Sequence, residues 1–402
     1  MSETQNNLIC PNCGSKTVRT FFRTENVPVH SVLLMDTEDE AINYPKGDIE
    51  LGYCSTCTFI YNTVFDPSKH EYSSKYEETQ GFSETFNKFH KNLAQKLIEK
   101  HNLYNKDIIE IGCGKGEFLT MICELGKNKG IGFDPSYVPG RSKSKIEEKV
   151  NFIKDFYSEK YTSYHGDFVA CKMTLEHIPD TLEFLKIVRR SIGERYNTTI
   201  FFQVPDTERV LAEKGFWDIY YEHCSYFNIA SLETAFKLAG FKVIDSGKDY
   251  DDQYLMVEAV PTTEMQEISI NPAQKEKMEK LVNNFESEIK ERLNEWQNDF
   301  INYKNQGKKA LLWGGGSKAV AFLTTLGIKD EIKYAVDINP FKHNTYLAGN
   351  GQKIISPEFL KELKPDVVVV MNPIYVDEIT KDINKMGLNP QIVPIDYKDK
   401  QG

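Results

Sequence analysis

Strand-like and helix-like segments alternate between residues 107 and 206 of this 402-residue chain, and this alternation restricts the possible folds more than any other feature. The apolar segments read DIIEI, KGIGF, VNFI, FVACKM and TTIFFQVP, and each is followed by a turn or a helical pattern. This order predicts a parallel sheet with crossover helices, that is, an α/β fold with a Rossmann-like sheet. Because ligands of such sheets bind at the carboxyl ends of the strands, we expect the functional site at that edge.

Two CxxC pairs stand near the amino terminus, CPNC with Cys10 and Cys13 and CSTC with Cys54 and Cys57. Each pair places two thiolates on one tight turn, and two such turns complete a tetrahedral zinc shell. Because four thiolates leave no open coordination position, the predicted Zn²⁺ is structural. A redox dithiol, or cysteines with no shared function, is the alternative.

The bulk composition excludes several classes of protein. A formal net charge of -10 argues against bulk attraction to nucleic acid or anionic lipid, although it leaves room for a local basic pocket. No apolar run approaches the roughly 20 residues that span a bilayer. The first residues lack the basic and apolar regions of a signal peptide. We therefore expect a cytoplasmic protein without a nucleic-acid or membrane partner, in two or three domains.

The first strand ends in the glycine turn EIGCGKGEF, which spaces Gly112, Gly114 and Gly116 as GxGxG rather than as the dinucleotide fingerprint GxGxxG. Glycine lets the backbone approach a ligand closely. Glu110 stands ahead of the glycines, and Asp134 ends the next strand, where a carboxylate can accept hydrogen bonds from two ribose hydroxyls. The pattern favours a nucleoside ligand; a turn that needs glycine only for tight packing is the alternative.

This segment resembles the first motif of class I S-adenosylmethionine-dependent methyltransferases. The resemblance implies that S-adenosylmethionine is the cofactor, that Asp134 binds its ribose, that Asp155 and Phe156 flank its adenine, and that Lys172 and Met173 lie beneath it. It also implies a set of residues on the methionine side of the pocket: Glu110, Gly112, Cys113, Gly114 and Gly116.

The composition changes from about residue 262, where a charged helical stretch begins. Its apolar residues share one side, which predicts a long packed connector helix: Met278, Leu281, Phe285, Ile289, Leu293, Trp296 and Phe300. A second strand–glycine–helix unit follows in KALLWGGGSKAVAFL, and Asp337 ends the strand after it. The turn at residues 314–318 could bind a phosphate at a helix amino terminus, or it could belong to a purely structural domain.

The stretch YYEHCSYF at residues 220–227 combines aromatic rings with a carboxylate and an imidazole. Together with the cysteine pairs, EIGCGKG, LEHIPD, QVPD and YAVDINPFK, it makes nearly the whole chain resemble the sugar C-methyltransferases. That family methylates carbon 3 of nucleotide-linked 4-keto-deoxysugars. The resemblance implies a zinc module at residues 1–75, a methyltransferase domain at 76–261, and a connector helix with a Rossmann-like domain at 262–402.

Methylation of carbon requires a base that removes a C–H proton beside a ketone, and a donor for the resulting enolate oxygen. The resemblance implies that His223 is this base, with Glu222 orienting it or sharing its role, because imidazole titrates near the working pH. Tyr221 and His177 are expected to donate to the substrate oxygen. Tyr76 is the remaining candidate, although Tyr72 is close by. The alternatives are structural: His177 as a helix cap, Tyr221 as a core ring, and Glu222 and His223 as a solvated turn.

Two other functions stay open. The first is a methyltransferase with the same cofactor and another small-molecule acceptor, through an oxygen, nitrogen or carbon atom. The second is a zinc-containing scaffold protein that has lost activity. One departure from the family bears on the acceptor: Asp251, Asp252, Gln253 and Tyr254 occupy a place where a glycine-rich turn is common, and the two carboxylates would change contacts to a sugar or diphosphate. A monomer and a homodimer are both compatible with the sequence.

Overall fold

The protein is described by a computed structural model that covers residues 8–69, 75–141, 144, 146 and 149–397. Within these residues, no helix is both long and apolar enough to cross a membrane. Three sheets organise the chain, with seven, four and five strands.

The central sheet has seven strands, in the order β10-β11-β8-β7-β4-β5-β6. Six of them run in the same direction, and only β11, the second strand from one edge, runs antiparallel to its neighbours β8 and β10. The strands are β4 (Asp107–Ile111), β5 (Lys129–Phe133), β6 (Val150–Ile153), β7 (Phe168–Lys172), β8 (Thr199–Pro205), β10 (Phe241–Asp249) and β11 (Tyr254–Pro261). The helices are α2 (Glu84–His101), α3 (Glu117–Gly126), α4 (Thr181–Ile192), α5 (Thr207–Ala212) and α6 (Ile229–Leu238). This is the α/β fold of class I methyltransferases, so the predicted fold class is confirmed.

The amino-terminal module contains a four-stranded antiparallel sheet, and one of its strands comes from far along the chain. It consists of β1 (Val18–Pro28), β2 (Lys46–Cys54), β3 (Ile60–Asn62) and β9 (Ser225–Tyr226), and the helix α1 (Glu38–Ile42) lies between β1 and β2. The pairing of Ile60 with Tyr226 joins β9 to β3. The aromatic stretch at residues 220–227 is therefore held by the amino-terminal module, which fixes its position over the central sheet.

The carboxyl-terminal domain is a five-stranded parallel sheet in the order β14-β13-β12-β15-β16. Its strands are β12 (Ala310–Trp313), β13 (Tyr334–Val336), β14 (Lys353–Ile355), β15 (Val367–Val370) and β16 (Gln391–Pro394). Its helices are α8 (Ser317–Leu326), α9 (Leu360–Leu363) and α10 (Val376–Lys385). The second strand–glycine–helix unit predicted from the sequence is β12, the turn at residues 314–316 and α8.

The predicted connector helix is α7 (Pro272–Asn305), which is 34 residues long. In its first half, Phe285 meets Phe22 of β1 with ring centroids 5.4 Å apart. Near its end, Trp296 meets Phe322 of α8 at 5.1 Å. One continuous apolar core therefore joins the amino-terminal and carboxyl-terminal parts through α7. This core holds the carboxyl-terminal domain against the edge of the central sheet where ligands are expected.

A candidate active site between two glycine turns

A cavity of about 620 Å³ lies between the carboxyl edge of the central sheet and the carboxyl-terminal domain. Both glycine turns face it, the first through Gly112 and Gly114 and the second through Gly314 and Gly316. The two turns therefore share one space rather than serving two separate sites. Most of the predicted residues also line it: Tyr76, Glu110, Cys113, Asp134, Asp155, Phe156, Lys172, Met173, His177 and His223.

The first glycine turn needs its glycines for steric reasons. Gly112, Gly114 and Gly116 all have positive φ angles, of 69°, 54° and 81°. A Cβ atom on Gly112 would lie 2.0 Å from the hydroxyl oxygen of Thr174. Gly116 does not line the cavity but caps the amino terminus of α3. The turn is thus bare backbone at the sheet edge, shaped to receive a ligand closely.

Asp134 is held in place by the same turn. Its carboxylate accepts hydrogen bonds from the backbone N–H of Gly114 at 2.9 Å and of Ser136 at 2.7 Å. The ammonium of Lys115 fixes the neighbouring backbone by donating to the carbonyls of Tyr76 and Ser136. A half-buried carboxylate at the end of the second strand is placed to accept hydrogen bonds from a ribose diol, so its geometry fits the predicted role.

Glu110 supplies a buried carboxyl group with spare hydrogen-bonding capacity. Burial raises its pKa to about 7, and its Oε2 atom accepts no hydrogen bond from any residue that the structure describes. Lys172 faces it from β7; burial lowers the pKa of this ammonium, which lies 3.1 Å from Nε2 of His90. An unsatisfied buried carboxylate oxygen calls for a donor. The amino group of a methionine moiety is such a donor, so the cradle fits the cofactor.

The residues predicted around the adenine differ in their surroundings. The Phe156 ring is 57% exposed although it is a large apolar side chain, so it offers a flat face to a ligand. The Asp155 carboxylate already pairs with Lys160 and accepts a hydrogen bond from Tyr161 at 2.7 Å, and these contacts lower its pKa to about 2. Met173 has a φ of 50°, a strained conformation that is typical of functional sites.

The two histidines predicted to be catalytic lie side by side in the wall of the cavity. The His177 and His223 rings lie 4.8 Å apart at 82°. Burial lowers the pKa of His177 to about 4, and its side chain hydrogen-bonds to the backbone of Glu222. A neutral imidazole has one N–H group, so His177 cannot also donate to a substrate ketone while it keeps that bond.

The other two residues of the predicted catalytic group do not line the cavity. Glu222 is buried, bonded to the Ser31 hydroxyl and 3.3 Å from Nδ1 of His30. Through Ser31, whose hydroxyl is 2.8 Å from that of Ser317, it connects the aromatic stretch to the second glycine turn. The Tyr221 hydroxyl contacts the backbone of Asp66, accepting from its N–H at 3.0 Å.

Two residues that the sequence analysis did not single out line the cavity where Tyr221 and Glu222 were expected. Tyr220 lines the cavity, and its ring centroid lies 4.1 Å from that of His223. Glu176 also lines it, and its Oε1 atom is 4.0 Å from Nε2 of His223. The tyrosine pair and the LEH triplet were visible in the sequence. The path of the backbone in each turn decides which of these side chains faces the cavity. A turn has no repeating sequence pattern from which this path could be predicted.

The second glycine turn repeats the hydrogen bonding of the first. Asp337 accepts from the N–H groups of Gly315 at 3.0 Å and Asn339 at 2.8 Å, as Asp134 does in the first turn. Here, however, the ammonium of Lys342 lies 3.4 Å from the same carboxylate. The charge of Asp337 is thus balanced within the domain, and this side of the cavity also presents Lys318, which is paired with Asp218.

The expectation that two carboxylates would meet the acceptor is wrong. Asp251 and Asp252 are exposed and do not line the cavity, whereas their neighbours Gln253 and Tyr254 do. The Gln253 amide exchanges hydrogen bonds with the Asn372 amide, at 3.1 and 3.0 Å. The departure from the family therefore places an amide pair and a phenol at the cavity. Tyr72 lies outside the described residues.

The four paired cysteines form one cluster. The Sγ atoms of Cys10 and Cys57 are 3.6 Å apart, those of Cys13 and Cys54 are 3.7 Å apart, and all four lie within 4.8 Å of one another. Such a donor set fits a small zinc module. None of the four cysteines lines the cavity.

Comparison with known proteins agrees with the site. Residues 82–246 match the family described as methyltransferase domain, and residues 258–390 match the C-methyltransferase C-terminal domain. The chain is an S-adenosylmethionine-dependent methyltransferase. The order of the two matched domains supports, at family level, a methyltransferase that acts on carbon.

Individual relatives of this methyltransferase extend over different shares of the chain. The C-methyltransferase NovU of Streptomyces niveus is 25% identical over 303 residues, which are 71% of this chain and 71% of that protein. The tRNA U34 carboxymethyltransferase of Nautilia profundicola is 30% identical over 108 residues, 24% of this chain and 34% of that protein. Among solved structures, PH0226 of Pyrococcus horikoshii OT3 superimposes with a TM-score of 0.38 and 15% identity, covering 48% of this chain and 100% of that one.

Proposed function

We propose that this methyltransferase transfers the methyl group of S-adenosylmethionine to a carbon of a nucleotide-linked keto-deoxysugar, beside the ketone. One observation carries the proposal: the two glycine turns and His223 all line a single cavity. A cofactor held by the first turn and an acceptor held by the second would therefore meet at an imidazole. The family matches supply the reaction class, and the cavity supports the class of acceptor.

Residues at the first glycine turn and at the neighbouring strand ends would bind the cofactor. Glu110 would accept a hydrogen bond from the amino group of the methionine moiety, and Asp134 would accept hydrogen bonds from the ribose hydroxyls. Phe156 would cover the adenine. When bound, S-adenosylmethionine supplies an electrophilic methyl group. Lys172 and Met173 would form the floor beneath it.

The second glycine turn suits the charged part of the acceptor. Gly316, Ser317 and Lys318, at the amino terminus of α8, line the cavity, and such helix termini bind phosphate. The ammonium groups of Lys318 and Lys342 add positive charge there. A diphosphate could displace Asp218 from Lys318, since that ion pair is partly exposed to solvent. A purely apolar acceptor would make no use of these charges.

We assign the proton transfer to His223. The imidazole takes the C–H proton beside the ketone, and the electron pair of that bond remains on the substrate as an enolate. The enolate carbon would then bond to the methyl carbon while the bond from that carbon to the sulfonium sulfur breaks, its electron pair staying on sulfur, and the imidazolium would later release its proton to solvent. Of the tyrosines that line the cavity, we assign donation to the enolate oxygen to Tyr220, whose ring lies beside His223, and to Tyr76. Tyr220 thereby takes the role that the sequence suggested for Tyr221.

The cysteine cluster is proposed to hold a structural Zn²⁺. Its four thiols leave no position for a substrate, and its residues are packed against the central domain. Asn12 donates to the carbonyl of Ser231 in α6 at 3.0 Å, within the first CxxC loop. The ion would thus stabilise the module that positions β9 and the residues leading to it.

The test begins with calorimetry, using S-adenosylhomocysteine alone and then with thymidine diphosphate added. Binding of both at separate positions supports the proposal, and thymidine diphosphate-linked 4-keto sugars are then assayed by mass spectrometry for a methyl gain. In D₂O without cofactor, the same sugars should exchange the proton beside the ketone. Binding of S-adenosylhomocysteine without thymidine diphosphate would direct the search to other small acceptors. Binding of neither would favour the inactive scaffold.

A further inference from the structure

The carboxyl group of Glu176 is buried at the active site without an evident partner. It lies in the 3₁₀ turn Leu175–His177 that follows β7, and the residue is 1% exposed. Neither carboxyl oxygen accepts a hydrogen bond from another residue that the structure describes, and only the backbone N–H of Glu176 itself lies near enough to influence the carboxyl group. Burying a carboxyl group without hydrogen bonds is costly, so this side chain requires a functional or structural explanation.

His223 is the group that Glu176 faces. The Oε1 atom of Glu176 is 4.0 Å from Nε2 of His223. The thiol of Cys224 donates to the backbone carbonyl of Glu176 at 3.4 Å, which ties the two turns together beside this pair. The carboxylate next to His223 in the sequence, Glu222, is instead engaged by Ser31 and His30.

We propose that Glu176 is the positioning residue for His223: its carboxylate receives the Nε2–H of the imidazole, so that Nδ1 is presented to the acceptor. The proposal rests on the proposed function, in which His223 removes the C–H proton. That proton goes to Nδ1, the electron pair stays on the substrate, and the imidazolium is stabilised by the carboxylate until it releases a proton to solvent. A movement of about 1 Å would bring the two groups to hydrogen-bond distance, and such contacts commonly tighten on ligand binding.

The surroundings of Glu176 support this pairing. Burial raises the pKa of Glu176 to about 8, so the pair with His223 keeps one extra proton near neutral pH. Among the neighbouring titratable groups, Glu222 and His30 contact each other, and several others have pKa values far from this range. Burial lowers the pKa of His177 to about 4, raises those of Cys224 and Tyr254 to about 12, and raises those of Cys171 and Tyr220 well above their usual values. The buried carboxyl group of Glu176 is therefore a titrating neighbour of the His223 imidazole near pH 8.

The direct test is nuclear magnetic resonance of ¹⁵N-histidine in the full-length chain, with no ligand added. In the wild-type protein above pH 9 we expect the Nε2–H tautomer of His223, and the Nδ1–H tautomer would overturn the proposal even if no variant folds. In Glu176→Gln we expect the apparent pKa of His223 to fall by about one unit or more, because the carboxylate that stabilises its imidazolium form is lost. Glu222→Gln is the matched control and should shift it by a few tenths. A shift in the control but not in Glu176→Gln would also overturn the assignment.

The second test follows turnover against pH with the accepted substrate. Glu176→Gln should lower kcat about 10- to 100-fold with little change in KM, and the acidic limb of its pH profile should move to lower pH by about one unit. Glu176→Asp should restore part of kcat. A loss of kcat with an unmoved limb would mean a merely structural role and would overturn the proposal. Absence of turnover in the wild-type protein would instead contradict the proposed function, while the tautomer measurement would still decide the role of Glu176.

Discussion

The side-chain amide of Asn339, in the carboxyl-terminal domain, donates a hydrogen bond of 2.9 Å to the buried carboxylate of Glu77. Arg141 binds the same carboxylate with both guanidinium nitrogens, at 2.8 and 2.9 Å, and lies 3.7 Å from the centre of the Phe341 ring. This cluster ties the two sides of the cavity together. Since a methyl transfer must exclude water, the link between the domains bears on activity as well as stability.

Replacing Glu77 with Gln should lower the free energy of unfolding by about 2–4 kcal/mol, because Arg141 is then left partly buried without its charge partner. The exposed pair of Arg23 and Glu25 offers a control, in which Glu25→Gln should change stability by less than about 0.5 kcal/mol. Urea denaturation of both variants measures the difference. Equal stabilities would show that the cluster is only a surface contact.

The same carboxylate predicts a pH dependence. Burial tends to raise the pKa of Glu77, but the hydrogen bonds from Arg141 and Asn339 outweigh it, so the folded-state pKa is lowered. Its contribution is therefore present above the unfolded-state pKa of about 4.3 and lost as pH falls through the folded value. Between pH 7 and pH 3, wild-type protein should lose more stability than Glu77→Gln. Parallel curves for the two proteins would contradict this.

Gly112→Ala should weaken S-adenosylhomocysteine binding at least about tenfold, since the new methyl group would force Thr174 and the turn apart. Gly140 is a matched control because its φ of 76° is equally unfavourable for alanine, yet no atom lies within 4 Å of the added Cβ. Gly140→Ala should introduce the same backbone strain but should not weaken S-adenosylhomocysteine binding. Calorimetry on both variants therefore distinguishes the effect of backbone strain from that of the steric clash with Thr174.

The strands, the two glycine turns and the cysteine cluster could be predicted from the sequence because their signals are local. A strand such as β4 is apolar over consecutive residues, and CxxC places two sulfurs on one turn by its spacing alone. The long helix α7 was predicted from apolar residues on one side, and Trp296 and Phe300 of that side are buried in the core.

The arrangement of side chains around His223 could not be predicted in the same way. Glu222 and His223 are neighbours in the chain, but the turn directs the Glu222 side chain to Ser31 and leaves Glu176, 47 residues earlier, facing the imidazole. In the same turn, Tyr220 rather than Tyr221 faces the cavity. These outcomes depend on the pairing of β9 with β3, a contact between segments more than 160 residues apart. No local pattern encodes that register.

His223→Ala should lower turnover by about a hundredfold or more and leave S-adenosylhomocysteine affinity nearly unchanged, because a base acts on the reacting proton and not on cofactor binding. The control is His165→Ala, at an exposed histidine that does not line the active-site cavity. Steady-state kinetics and calorimetry on the same preparations make the comparison. Unchanged turnover would remove His223 from the reaction.

Lys318 and Asp218 give a pair of predictions with opposite signs. Lys318→Ala should weaken thymidine diphosphate binding about tenfold, because a charge-assisted contact to phosphate is lost. Asp218→Asn should strengthen it, since the carboxylate that now pairs with Lys318 competes with the ligand. The exposed Lys329 serves as the control for a general loss of positive charge. If Asp218→Asn also weakens binding, the diphosphate does not occupy this position.

Cys10→Ser should destabilise the fold rather than change the chemistry, because the binding of a structural Zn²⁺ contributes directly to folding. The cluster shares its apolar core with Phe227, whose ring lies 5.1 Å from that of Phe59. Loss of the ion should therefore lower the Tm of the central domain as well, in one transition. Cys123→Ser is the control, a buried thiol outside the cluster, and it should lower stability while metal content stays constant. Measured together, Tm, zinc content and kcat distinguish the two roles: a folded Cys10→Ser protein with normal Tm but no turnover would place the metal in catalysis.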